Sequence, residues 1–171
     1  TALSEIGPLR KSPGQRCAFM ELDVADHAMV KSVMDKAVEA FGVPDLLINC
    51  AGRAYPHYFE DITHAQFDDT MKTNLYGIWN TVSALVPHMK KKGGTIVNVS
   101  SLAGFIGVFG YTDYAASKFA VVGFSEALRS ELRQCNISVA LLCPPDTDTP
   151  GFATENLTKP EETRVLSKNT K

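Results

Sequence analysis

Short apolar runs alternate with longer amphipathic ones along most of this chain, and that alternation restricts the fold more than any other feature of the sequence. Residues 16–24 (RCAFMELDV), 45–50 (DLLINC), 95–100 (TIVNVS) and 137–143 (ISVALLC) read as strands. Between them lie helical patterns. In 26–41, Met29, Val33, Val38 and Phe41 recur at roughly helical spacing, and Gly42-Val43-Pro44 ends the run. In 64–91 the apolar positions are Phe67, Met71, Leu75, Ile78, Val82 and Leu85, and Lys90-Lys91-Lys92-Gly93-Gly94 supplies cations for the helix dipole and glycines for the stop. A third helix is expected over about 112–134.

Strands that alternate with helices need crossover connections, which make a parallel sheet. The strands are almost continuously apolar, which predicts burial on both faces. The expected fold is therefore an α/β, doubly wound parallel sheet in three α/β/α layers. Ligands of such sheets bind beyond the carboxyl ends of the strands. Polar residues collect there in this sequence: Asp23, the Asn49-Cys50-Ala51-Gly52 run, Ser100-Ser101, and Asp146 to Thr149.

Within that region one pairing carries chemistry. Tyr114 and Lys118 stand four residues apart at the start of the third helix and share a face. An ammonium beside a phenol favours the phenolate and lowers a pKa that is ordinarily about 10, bringing the group toward general acid–base work. A Y-x-x-x-K pair alone is a common chance match. Ser101, at the end of a strand thirteen residues earlier, could hydrogen-bond the carbonyl oxygen that Tyr114 would protonate, or merely satisfy backbone groups. Asn74 falls mid-helix, where asparagine is a poor helix former; it reads as a local kink, a surface amide, or a relay holding water near Lys118.

In this order and at these spacings, Asn49-Cys50-Ala51-Gly52, Asn74, Ser101, Tyr114 with Lys118, and the proline loop 144–149 resemble the short-chain dehydrogenase/reductase family across nearly the whole chain. The resemblance implies a Rossmann-type fold and an NAD(P)-dependent oxidoreductase that interconverts a ketone and a secondary alcohol. It implies Tyr114 as catalytic acid/base and Lys118 as the lysine that lowers the tyrosine pKa and binds the nicotinamide ribose. It implies Ser101 as the residue that polarises the substrate carbonyl and Asn74 as a proton-relay residue. Asp23 and Val24 would contact adenine. Asn49, Ala51 and Gly52 would support the sheet and line the cofactor, and Asp146, Thr147 and Thr149 would hold the carboxamide. Pro145 stands where the family usually has glycine, which stiffens the loop and removes a donor.

The stretch from Pro144 to Arg164 and the loop 104–111 resemble the branch of the family that reduces 3-dehydrosphinganine to sphinganine with NADPH. Phe105, Ile106, Val108, Phe109 and Phe152 would then either flank a long acyl chain or pack the loop and flap. Other readings are a family member acting on a 3-oxoacyl thioester, a steroid or an unassigned alcohol, and a non-catalytic member. The family's glycine-rich T-G-x-x-x-G-x-G segment, which cradles pyrophosphate, has no counterpart here. The chain therefore reads as a single partial domain over 1–171, incomplete at both ends, with 151–171 opening a substrate flap. The missing segment would also hold the residue that separates NAD from NADP; the resemblance favours NADPH. In the family's strand order, strand 16–24 would have no neighbour to pair with.

Composition excludes some partners. A net charge of -2 gives no electrostatic reason to expect nucleic acid. No apolar run approaches the roughly 18–20 residues of a membrane span. Cys17, Cys50, Cys135 and Cys143 form no CxxC pair and read as free thiols. The four histidines lack metal-ligand spacing, so no metal is expected. Asn98 begins an N-x-S sequon but falls in a strand expected to be buried, where no glycan fits. The resemblance implies a cytoplasmic location, or the cytosolic face of the endoplasmic reticulum should an anchor lie outside this chain. Helix 112–134 is apolar or small at 115, 116 and 119–124, nearly all round. A helix of that kind is buried on every side. Its outer face would meet a partner subunit, with helix 64–91, in a homodimer or homotetramer, or else lie under the flap.

Overall fold

A computed structural model describes residues 7–12 and 14–168. Helix α1 (His27–Phe41) is followed by β1 (Leu46–Asn49). A continuous helical rod comes next, made of α2 (His64–Met71), one π-helical segment (Lys72–Tyr76) and α3 (Gly77–Met89). Then come β2 (Gly94–Val99), α4 (Thr112–Leu132), β3 (Ile137–Leu142), α5 (Pro150–Thr158) and α6 (Glu161–Lys168). The three strands are parallel in the order β1-β2-β3, with Asn49 opposite Asn98 and Val99 opposite Leu142.

The helices start where local chemistry starts them. Asp26 caps α1 by accepting from the Met29 N–H, and Thr63 with Gln66 closes a capping box on α2. At the other end of the rod, Gly93 takes φ 83° and its N–H bonds the Met89 carbonyl, so the chain can turn into β2.

The core lies on one side of the sheet. Leu47, Ile96, Ile137, Val139 and Leu141 project from one face onto Ile78, Val82, Leu85 and Met89 of α3, Val121 and Leu132 of α4, and Met34 and Val38 of α1. Fully burying an aliphatic side chain of this size contributes about 1.5–3 kcal/mol. The buried stripe of α1 is Val30, Met34 and Val38, four residues apart. The pattern Met29, Val33, Val38 and Phe41 had the right period but only partly the right face: Phe41 is exposed and carries the Arg16 guanidinium over its ring at 4.4 Å.

Two sequence expectations need correction. Residues 16–24 form no strand. No described strand runs beside them, and an extended segment without a ladder partner keeps its N–H and C=O groups for water. Its end is nevertheless anchored, because Asn80 donates to the Val24 carbonyl at 2.9 Å and Arg16 to that of Ala40 at 3.1 Å. Burial on both sheet faces is also not seen among the described residues. Leu46, Ile48 and Leu142 point away from the helices and are 51%, 54% and 50% exposed. The described residues thus fill two of the three layers, and the open face presents the apolar side chains that a second helical layer would cover.

Candidate active site

The carboxyl ends of β2 and β3, the start of α4 and the flap helices enclose a cavity of about 410 Å³. Tyr114, Lys118 and Ser101 all line it, as do Gly52, Asp146, Thr147 and Thr149. The fold brings them together because β2 ends at Val99, one residue short of Ser100-Ser101, and α4 starts with Tyr114 in its first turn. Close approach of α4 to the β2 end depends on Gly104: a Cβ there would stand 2.8 Å from the Lys118 carbonyl oxygen and 2.8 Å from Ser100 Oγ.

Lys118 is buried, and its Nζ donates to the Val99 carbonyl at 3.0 Å. Val99 is its one acceptor among the described residues, so two ammonium protons remain for a ligand. Desolvation pushes the Lys118 pKa down, against the fields of Cys50 and Cys143. Its Nζ lies 5.4 Å from the centroid of the Tyr114 ring. Tyr114 departs from expectation. Burial pushes its phenol up from the ordinary value, Ser101 acts in the opposite sense, and Glu155, Asp146 and Cys143 raise it further. Desolvation and two nearby carboxylates outweigh the Ser101 hydrogen bond, and Lys118, whose ammonium is turned toward a backbone oxygen, is not among the groups that shift the phenol.

Asn74 occupies the π-helical segment and is completely buried. Its Nδ2 donates to the Arg53 carbonyl at 2.9 Å and to Ser117 Oγ at 3.0 Å, and its Oδ1 accepts from the Arg53 N–H at 2.8 Å. The surface-amide reading therefore fails, and the kink takes the form of a π-turn, a feature often found at functional sites. Both amide protons are used within the protein, so any relay through Asn74 would run through its main chain. Gly52 fits against this point: a Cβ there would stand 3.4 Å from Asn74 Oδ1 and 3.6 Å from Lys118 Nζ.

Asn49 belongs to a buried polar chain rather than to the cavity wall. Thr81 Oγ1 donates to Asn49 Oδ1 at 2.7 Å, Asn49 Nδ2 to Asn98 Oδ1 at 2.8 Å, and Asn98 Nδ2 to Ser125 Oγ at 2.8 Å. This chain ties β1, β2, α3 and α4 together, and the burial of Asn98 explains why its sequon cannot be glycosylated. Val24, Asn49 and Ala51 border a separate cavity of about 160 Å³. Asp23 is exposed, caps its own turn by accepting from the Ala25 N–H at 2.9 Å, and touches neither cavity.

The cavity suits the nicotinamide–ribose end of a dinucleotide. It offers an ammonium with free protons, a glycine that leaves room beside it, and the hydroxyls of Thr147 and Thr149. Thr147 Oγ1 donates to the Pro145 carbonyl at 2.8 Å, while Thr149 caps α5 by accepting from the Phe152 N–H at 3.1 Å. Among the apolar candidates, Val108 and Phe152 line the cavity. Phe105 and Ile106 are exposed outside it, and Phe109 packs edge-on against Tyr58 at 6.0 Å. Sequence reasoning missed Tyr111, Glu155, Lys159, Leu102 and Arg53, which also line the cavity. The acidic and basic residues of the flap, at helical spacing in 155–164, were the available signal. It was unreadable without knowing where the flap folds.

The flap lies over the loop 104–111. Thr163 Oγ1 donates to the Phe109 carbonyl at 2.7 Å, and Gly110, at φ 76°, passes beneath Pro160. The described residues of the flap therefore do not cover the outer face of α3 and α4. There Trp79 and Tyr76 are 56% and 54% exposed beside Phe124, with the Trp79 and Phe124 rings 6.0 Å apart.

A parallel α/β sheet with a Ser–Tyr–Lys cluster beyond its strand ends defines a class of nicotinamide-dependent oxidoreductases. The chain belongs to the short-chain dehydrogenase family, whose model matches residues 2–160. It is 44% identical over 153 residues to the 3-ketodihydrosphingosine reductase of Bos taurus, covering 88% of this chain and 46% of that protein. It is 46% identical over 150 residues to the 3-dehydrosphinganine reductase of Danio rerio, covering 86% and 45%. The chain thus spans about half the length of these curated relatives. The crystal structure of a short-chain dehydrogenase from Streptomyces avermitilis superposes with a TM-score of 0.80 at 29% identity, covering 93% of this chain and 56% of that one. Members of this family bind NAD(P).

Proposed function

We propose that this chain carries the catalytic residues of an NADPH-dependent reductase that converts 3-dehydrosphinganine to sphinganine. The observation that carries the reading is the convergence of Ser101, Tyr114 and Lys118 on one cavity at the carboxyl ends of the strands. The likeness to 3-ketodihydrosphingosine reductases supports this substrate. Bound NAD(P)H supplies the hydride that reduces the ketone carbon.

The protein's own groups do the rest. Ser101 hydrogen-bonds the ketone oxygen and holds it against Tyr114. Tyr114 gives its proton to that oxygen as negative charge develops there. The phenol holds its proton at neutral pH, so it is present as a donor for the reducing direction, although the raised pKa makes it a weaker acid. Lys118 directs its free protons at the ribose hydroxyls, aided by Gly52, and Thr147 and Thr149 face the carboxamide. Asn74 holds the Arg53 backbone and, through its main chain, the proton path behind Lys118. Asn49 braces the sheet beneath, and Val24 and Ala51 border the smaller cavity toward the adenine end. Asp23, exposed beside them, is the adenine-contacting residue. Val108 and Phe152 flank the start of the acyl chain. The open aromatic face around Trp79 and Tyr76 forms a homodimer contact, and the protein works at the cytosolic face of the endoplasmic reticulum.

NADPH oxidation by the full-length protein, with 3-dehydrosphinganine beside short 3-oxoacyl substrates, tests the reading. Turnover confined to the sphingoid ketone is expected, with a Tyr114→Phe variant that folds normally but loses about 10²–10⁴ in rate. Preference for a 3-oxoacyl thioester, or full activity of Tyr114→Phe, refutes it.

A further inference from the structure

The flap side of the cavity carries charge that proton donation from Tyr114 does not need. Glu155, on α5, is half-buried and faces the same cavity as Tyr114. One of its oxygens is held: Tyr111, whose ring lies 5.7 Å from that of Tyr114, donates its hydroxyl to Glu155 Oε2 at 3.3 Å. No cation of the described residues is in ion-pair contact with it. Lys159 stands one turn further along the flap, but its Nζ sits over the Phe152 ring at 4.6 Å and the Tyr111 ring at 5.9 Å. Asp146, at the cavity wall, adds a second carboxylate. The flap does not need Glu155 as an anchor. Thr163 to the Phe109 carbonyl at 2.7 Å and Tyr58 to Glu162 at 3.0 Å already fix it.

Two carboxylates beside the proton donor disfavour the charge that develops on a neutral ketone's oxygen. They also raise the phenol pKa. A substrate that brings its own cation reverses both effects. 3-Dehydrosphinganine is a 2-amino-1-hydroxy-3-ketone, with the ammonium one carbon from the reacting carbonyl.

We propose that Glu155 is a specificity residue that pairs with an ammonium on the carbon next to the substrate ketone. This rests on the substrate reading above. Burial makes the pair strong enough to select. A hydrogen bond to a charged partner contributes roughly ten- to a hundredfold in binding, and a cavity that holds an unpaired carboxylate rejects the analogue lacking the cation. Desolvation pushes the Glu155 carboxyl up, and the Tyr111 hydrogen bond and the field of Lys159 act in the opposite sense. Lys159 Nζ stays over the two rings and makes no ion pair with the carboxylate, which leaves that contact to a substrate ammonium.

The test uses the full-length protein, wild type and Glu155→Gln. The substrates are 3-dehydrosphinganine and its analogue with hydrogen in place of the amine. The ratio of kcat/KM for the amino ketone to that for the neutral ketone should fall about ten- to a hundredfold in Glu155→Gln, mostly through KM. A Tyr111→Phe variant, which loses the hydrogen bond but keeps the carboxylate, should hold most of the selectivity. A ratio unchanged in Glu155→Gln, with both substrates affected alike or not at all, overturns the proposal while leaving the substrate reading intact. Absence of wild-type turnover on 3-dehydrosphinganine sinks both. Should Glu155→Gln fail to fold, Glu155→Asp is read the same way: withdrawal of the carboxylate by one methylene should lower the ratio several-fold, and an unchanged ratio overturns the proposal.

Discussion

Replacing Asn98 with leucine tests whether the buried amide chain holds the site's framework. Asn98 is fully buried in β2 and similar in size to leucine, so the change is one of polarity more than volume. In the parent, Asn98 accepts from Asn49 and donates to Ser125, both at 2.8 Å. Leucine leaves the Asn49 Nδ2 protons facing hydrocarbon. Asn49 is only 8% exposed, so water replaces the lost acceptor poorly. An orphaned buried donor costs about 1–3 kcal/mol. Ser125 loses an incoming bond but still donates to the Val121 carbonyl at 2.7 Å, which limits its share to about 1 kcal/mol. Leucine regains part of this through its own burial, so the net loss should be about 2 kcal/mol. For a domain of this size that shifts Tm by about 4–8 °C. Thermal unfolding of the full-length protein, monitored by circular dichroism and checked for two-state behaviour, reads the shift. Adding Asn49→Leu removes the orphan, so the double variant should be more stable than the two single losses sum to, by at least about 0.5 kcal/mol. A variant as stable as its parent, or two losses that simply add, would refute the network's role.

Other consequences are open to measurement. The raised pKa of Tyr114 sets the sign of the pH profile: the donor is protonated at and below neutrality, so the reduction rate should be flat there and fall only on the alkaline side of the ordinary tyrosine value of about 10. An alkaline limb centred well below that value would show that Lys118 governs the phenol instead. Thr70→Val removes the 2.6 Å hydrogen bond to the buried Asp113 carboxylate, whose other oxygen has no hydrogen-bond partner among the described residues, and should destabilise the protein by about 1.5–3 kcal/mol in urea unfolding. Gly110→Ala forces a side chain onto a φ of 76° and within 2.9 Å of Pro160 Cγ. It should cost about 1–3 kcal/mol and raise KM more than it lowers kcat, since the flap must lift. Trp79→Glu places a charge on the open aromatic face and should shift sedimentation toward monomer without lowering Tm of the monomeric species.

The chemistry-bearing residues were legible because each sits at a boundary that local pattern marks. Ser101 follows an apolar run, and Tyr114 and Lys118 open a helix one turn apart. Strand and helix periods placed β1, β2, β3 and the long helices within a few residues of their observed ends. The failures share a different cause. Residues 16–24 have the composition of a strand, but a strand exists only when another chain segment supplies its hydrogen bonds, and none of the described segments does. The α1 stripe and the exposed Leu46, Ile48 and Leu142 depend on which surface lies opposite.

By itself, the sequence determined the alternation of elements, the parallel class of the sheet and the grouping of Ser101, Tyr114 and Lys118 that the fold brings to one cavity, because these follow from periodicity and from spacing along one helix or at one strand end. Only the tertiary structure decided the electrostatics around Tyr114. Its pKa is raised by burial, against the Ser101 hydrogen bond, and by Glu155 and Asp146, the former more than forty residues away in sequence and brought near by the flap. Coulomb interactions and desolvation depend on distance through space, and no local pattern of residues contains that distance.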